Sequence, residues 1–170
     1  MRVAIVEDER ENQAQICSFL IRYEEEHQIS VSLTCYEDGI DLAEDFKNQY
    51  DIVFCDIMMN HMDGMATAEY IRERDSQVII IFITNLAEYA IRGYDVSAIG
   101  YLLKPINYNL FSRYLDKALN IISQKEPTCL IVKEKRGYGN LCLAIYAILL
   151  MKTTMFICIW STGLSGYIFL

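Results

Sequence analysis

Four short apolar runs in this sequence each end on side chains able to do chemistry. Residues 3–6 lead into Glu7, Asp8 and Glu9, residues 52–55 into Asp56, residues 78–83 into Thr84, and residues 99–103 into Lys104 and Pro105. Carboxylates gathered at one edge repel one another unless a cation is present, and an all-oxygen set suits Mg²⁺, which keeps waters and leaves room for phosphate oxygens. A carboxylate beside that cation can act as a nucleophile towards phosphorus. Asp56 is the acid flanked by apolar residues, Cys55 and Ile57, that would fix its direction, so it is the expected nucleophile. Transfer of a phosphoryl group also needs cations and donors on the equatorial oxygens, and Lys104 and Thr84 can supply them.

The elements that must carry these residues follow from the hydrophobic pattern. The runs at 3–6, 52–55, 78–83 and 99–103 are continuous and apolar, as strands buried on both faces are, and 31–36 alternates. Between them, Ile16, Phe19, Leu20 and Tyr23 recur at helical spacing within 12–26. Leu42, Ala43 and Phe46 mark a second helix, and helices are predicted over 66–74, 87–94 and 110–122, the last with Phe111, Tyr114, Leu115, Ala118 and Ile122 inward. Strands alternating with helices require a parallel sheet, so the fold class is α/β, a doubly wound five-stranded sheet with helices on both faces. Ligands of such sheets sit outside the carboxyl ends of the strands, where the four runs end.

Composition sharpens the division. Residues 1–128 carry 11 Lys/Arg against 22 Asp/Glu, whereas residues 129–170 carry 4 against 1, and the two parts sum to the net charge of −8. An acidic first part argues against nonspecific nucleic-acid binding there. The six cysteines, Cys17, Cys35, Cys55, Cys129, Cys142 and Cys158, form no C-x-x-C pair, which predicts reduced thiols, and the N-terminal apolar run is too short for an export signal. A cytoplasmic protein is expected. His27 and His61 are expected to be solvated, and Met58, Met59, Met62 and Met65 to serve packing.

Residues 5–9 (IVEDE), 56–64 (DIMMNHMDG), 82–85 (FITN) and 100–105 (GYLLKP) together resemble the receiver domains (CheY-like) of two-component response regulators, over about residues 1–123. The resemblance implies a flavodoxin-like strand order 2-1-3-4-5 and Mg²⁺ held by Glu7, Asp8, Asp56 and the backbone carbonyl of Met58. It further implies phosphorylation of Asp56 by a sensor histidine kinase, contacts of Thr84 and Lys104 with the phosphoryl group, an inward turn of the switch residue Tyr101, a cis Lys104–Pro105 bond, and pairing of two copies through the receiver. Asn60 stands where the family usually has proline, Asn85 where a small residue is common, and Glu7 where Asp is commoner. A Mg²⁺-dependent phosphohydrolase is the alternative from another class. Enzymes of the haloacid dehalogenase-like family place a second Asp two residues after the nucleophile, and here that position is Met58. A phosphorylation-independent adaptor would not need the acid pair, Thr84 and Lys104 together.

A linker is expected over 124–128, at Pro127. Residues 129–137 (CLIVKEKRG) read as a strand entering a basic turn and, with residues 94–105, resemble regulators whose output is a LytTR-type DNA-binding domain. Residues 141–170 hold one charge, Lys152, and no Arg, Gln, Asn, Asp or Glu, so no base-reading surface is expected there. A frameshifted or truncated end, a membrane-inserted segment, and a buried element completing a dimer are the three explanations weighed, and each predicts an exposed apolar surface that promotes aggregation or membrane partitioning.

Overall fold

The computed structural model describes residues 1–86, 89, 93, 95–125, 129–134 and 137–142, the last two stretches as backbone. It divides into two units, Met1–Lys125 and Glu126–Leu170. The first contains β1 (Arg2–Val6), α1 (Arg10–His27), β2 (Ser32–Tyr36), α2 (Gly39–Asp45), β3 (Ile52–Cys55), α3 (Gly64–Arg74), β4 (Ile79–Thr84), β5 (Gly100–Leu103) and α4 (Tyr108–Lys125). The second contains an antiparallel pair, β6 (Cys129–Glu134) and β7 (Gly137–Cys142). Apart from residues 89 and 93, the expected helix at 87–94 lies outside the described residues, as does the tail from 143 on.

All five strands of the first unit are parallel and lie in the order β2-β1-β3-β4-β5. This is the flavodoxin-like order expected for the chain. β1 beyond Arg2, β3 and β4 are buried throughout, which is why their sequences show no polar alternation. β2 is an edge strand of half-buried and exposed residues, and its weak alternation reflects that position. Successive strand residues serve opposite cores. Val3, Ile5, Phe54 and Ile81 face Ile16, Leu20, Tyr23, Phe111 and Leu115 of α1 and α4. Ala4, Val6, Val53 and Phe82 face Leu42, Met65, Ala68 and Ile71 of α2 and α3. Phe46, expected within the second helix, is its extended C-cap and is buried against that second core.

The chain order reverses between β1 and β3, and the crevice outside their carboxyl ends is the place for a ligand in such a sheet. The ladder runs one residue past each strand there. Glu7 N–H donates to Tyr36 O at 3.0 Å, Asp56 N–H to Val6 O at 2.9 Å, and Lys104 N–H to Thr84 O at 3.0 Å. The backbones of the chemically able residues are therefore held by the sheet, while their side chains stand beyond it.

Candidate functional site

Glu7, Asp8 and Asp56 each present a carboxylate oxygen within 4.8 Å of the others. Glu7 and Asp56 are buried, and Asp8 is half-buried. Lys104 Nζ donates to Asp56 Oδ2 at 2.5 Å and to Glu7 Oε1 at 2.8 Å, its side chain only 6% exposed. One ammonium thus bonds two of the three carboxylates, and the surplus is negative. Burial raises the Glu7 pKa above its usual value, with Lys104 opposing that shift. Burial likewise lowers the Lys104 pKa, but its bonds to Asp56 and Glu7 outweigh this and leave it raised. Glu7 Oε2 is buried and has no hydrogen-bond partner. A buried acceptor in that condition costs about 1–3 kcal/mol. An all-oxygen donor set, a charge surplus and an orphaned buried oxygen together fit a hard divalent cation such as Mg²⁺.

The loop between β3 and α3 fixes the direction of Asp56. Its Oδ1 accepts from the backbone N–H of Ile57 at 2.5 Å and of Met58 at 3.2 Å. Gly64 lies so close that a Cβ there would stand 2.1 Å from Asp56 O, so the turn back into α3 excludes a side chain at that position. Asp63 caps α3 by accepting from Ala66 N–H at 2.7 Å. Asn60 Nδ2 lies 3.4 Å from Asp8 Oδ2, so the residue standing in the usual proline position touches the acid cluster.

Thr84 is fully buried at the end of β4, and its Oγ1 accepts a long contact, 3.4 Å, from Leu86 N–H. Tyr101 is half-buried on β5 with its ring against Phe82, and its hydroxyl donates to Leu86 O. A cavity of about 560 Å³ opens over Asp56 and is lined by Asp8, Met58, Asn60, Asn85 and Leu86 among others. Met58 is 56% exposed at its mouth. The Lys104–Pro105 bond is cis.

The tertiary structure adds a residue that sequence reasoning missed. His61, expected to be solvated, has a side chain 73% exposed, and its Nδ1 lies 3.1 Å from Asp38 Oδ2. Asp38 was given no role, because an Asp before Gly reads as an ordinary helix cap. His27 is stacked on Tyr23 at 4.0 Å between ring centroids. Cys17, Cys35 and Cys55 are free thiols, and among the described residues no helix is long and apolar enough to cross a membrane.

Comparison with known proteins bears on the same stretch. The family model described as the response regulator receiver domain matches residues 3–116. The transcriptional regulatory protein YpdB of Escherichia coli (strain K12) is 32% identical over 118 residues, covering 69% of this chain and 47% of the relative. The sensory transduction protein LytT of Bacillus anthracis is 30% identical over 117 residues, covering 69% and 46%. This chain therefore spans about half the length of these curated relatives. The receiver domain of sensor histidine kinase PA1611 from Pseudomonas aeruginosa, solved with a magnesium ion coordinated in its active-site cleft, has a TM-score of 0.60 at 25% identity and covers 70% of this chain and 97% of its own.

Proposed function

This chain belongs to the response regulator receiver family, and from that membership we propose that Asp56 accepts a phosphoryl group from the phosphohistidine of a sensor kinase. One Asp56 carboxylate oxygen forms the O–P bond as the P–N bond to the kinase imidazole breaks, and the imidazole keeps the departing electron pair and is protonated. Glu7, Asp8, Asp56 and the Met58 backbone carbonyl would hold Mg²⁺, which supplies positive charge against the phosphoryl oxygens. Lys104, already 2.5 Å from Asp56, donates to one of those oxygens, and Thr84 donates its hydroxyl to another. Drawing Thr84 towards the phosphoryl group pulls on the segment whose Leu86 carbonyl accepts from Tyr101, so the Tyr101 bond is the link from chemistry to conformation.

The observation that carries this reading is the oversupply of buried acid. Three carboxylates converge at the switch point, one lysine serves two of them, and one oxygen has no partner. The domain modifies only itself and does not turn over a substrate. It works in the cytoplasm, where free thiols persist. The receiver, expected to end at residue 123, runs to Lys125 because α4 continues through the first two residues of the linker expected at 124–128, and we read 129–170 as an output segment that opens on the β6–β7 hairpin. The relatives named as transcriptional regulators support control of transcription by the whole protein. Residues 141–170 themselves carry no Arg, Gln, Asn, Asp or Glu with which to read bases.

Incubating the full chain with Mg²⁺ and a small phosphodonor tests the assignment. One acid-labile phosphate per chain is expected, absent in Asp56→Asn and absent after chelation. Continuous turnover of phosphate esters would instead identify a phosphohydrolase, and no uptake with undiminished partner binding would identify an adaptor.

A further inference from the structure

The loop that carries Met58 and Asn60 is pinned at its far end by a carboxylate from another element. Asp38 Oδ1 accepts from the backbone N–H groups of Ile40 and Met62, both at 3.1 Å. Its Oδ2 accepts from His61 N–H at 3.0 Å and lies 3.1 Å from His61 Nδ1. Capping α2 needs only the Ile40 bond. The other three reach 23 and 24 residues along the chain into the β3–α3 loop. Burial pushes the Asp38 pKa up, but these bonds outweigh it and hold the carboxyl at about 2. Gly39 completes the fit, since a Cβ there would lie 2.7 Å from Met62 O and 2.0 Å from Thr67 Oγ1, so a side chain would prise α2 off the loop.

The near end of the same loop forms the site. Ile57 and Met58 donate to Asp56, and Asn60 contacts Asp8. We propose that Asp38 is a positioning residue for the Mg²⁺ site: by clamping residues 61 and 62 it fixes where the Met58 carbonyl and Asn60 stand, and so sets cation affinity rather than the chemistry of transfer. This rests on the reading of Glu7, Asp8 and Asp56 as a Mg²⁺-dependent phosphoacceptor site. Partners that orient metal ligands without touching the metal are worth about 10- to 100-fold in affinity, and Asp38, acting through a backbone loop, belongs at the lower end.

The test measures the Mg²⁺ dissociation constant of the full chain by calorimetry and, separately, the Mg²⁺ dependence and maximal rate of Asp56 phosphorylation. Asp38→Ser keeps an α2 cap but cannot reach the loop. It is expected to raise both the dissociation constant and the half-saturating Mg²⁺ about tenfold, with the maximal rate at saturating Mg²⁺ within about twofold of wild type. Asp38→Asn, which keeps one acceptor oxygen, serves if the serine variant does not fold, with an expected rise of about threefold. Asp41→Asn removes a nearby charge in the depression that Asp38 and Asp8 line, and Asp51→Ala removes a carboxylate at the opposite sheet edge. Neither is expected to change Mg²⁺ affinity. Unchanged affinity in the Asp38 variants, or an equal loss in Asp41→Asn, would overturn the proposal. A wild-type chain that neither binds Mg²⁺ nor accepts phosphate would instead overturn the reading of the site.

Discussion

The two ends of the central sheet both carry ion pairs, and they differ in what those pairs leave over. At the amino end of β3, Asp51 accepts from the Arg2 backbone at 2.7 Å and from its guanidinium at 3.0 Å. That pair is matched one to one, and its side chains are 27% and 55% exposed. At the carboxyl end, Lys104 is 6% exposed and divided between Asp56 and Glu7, with Asp8 close by. The first arrangement neutralises itself in water and ties β1 to β3. The second is buried, charged beyond neutrality and incompletely bonded, so it has a standing affinity for added positive charge. A fold can hold such an edge only because strands buried on both faces stabilise it from below.

Removing the buried ammonium should have the largest effect. In chelator, Lys104→Met is expected to destabilise the chain by about 3–5 kcal/mol in urea unfolding, because it strands two buried carboxylates, and Mg²⁺ should restore part of the loss. A cost under about 1 kcal/mol would show that the two edges are electrostatically alike.

Acid should come next, through Asp38. Its carboxyl is held at about 2 in the folded chain, against about 3.9 when unfolded. Its stabilisation is therefore complete above about pH 4 and is lost as the pH falls towards 2, amounting to about 2 kcal/mol. The stability gap between wild type and Asp38→Ala should close over that window, and a gap constant down to pH 2 would remove the clamp from the account.

A smaller, kinetic effect is expected at the cavity mouth. Met58 and Leu86 flank the approach to Asp56 and cannot orient a water, so the phosphorylated chain should lose its phosphate slowly, and Met58→Asn should lose it several-fold faster. Equal or slower decay in the variant would contradict this. The smallest effect belongs to the exposed edge: Asp51→Ala should cost about 1 kcal/mol or less and leave phosphorylation unchanged. A loss of phosphate uptake there would mean that the two edges communicate.

Much of this was legible in the chain itself. Buried parallel strands need unbroken apolar runs, so residues 52–55 announced β3, and the residues ending such runs, Glu7, Asp56, Thr84 and Lys104, had to gather at one edge of the sheet. Strand type and the position of the chemistry are one-dimensional facts, set by the period of the sequence and by the rule that a crossover returns each strand in the same direction. The division of Lys104 between two acids, the unpartnered Glu7 Oε2 and the Asp38 clamp were not legible. Asp38 is the plainest case: in sequence it is an Asp before a Gly at a helix start, and only the packing of α2 on the β3–α3 loop brings the N–H groups of residues 61 and 62 within about 3 Å of it. Hydrogen bonds and ion pairs depend on distances of a few ångströms between elements tens of residues apart. The pattern of a single strand or helix carries no record of those distances until the sheet and its covering helices have packed.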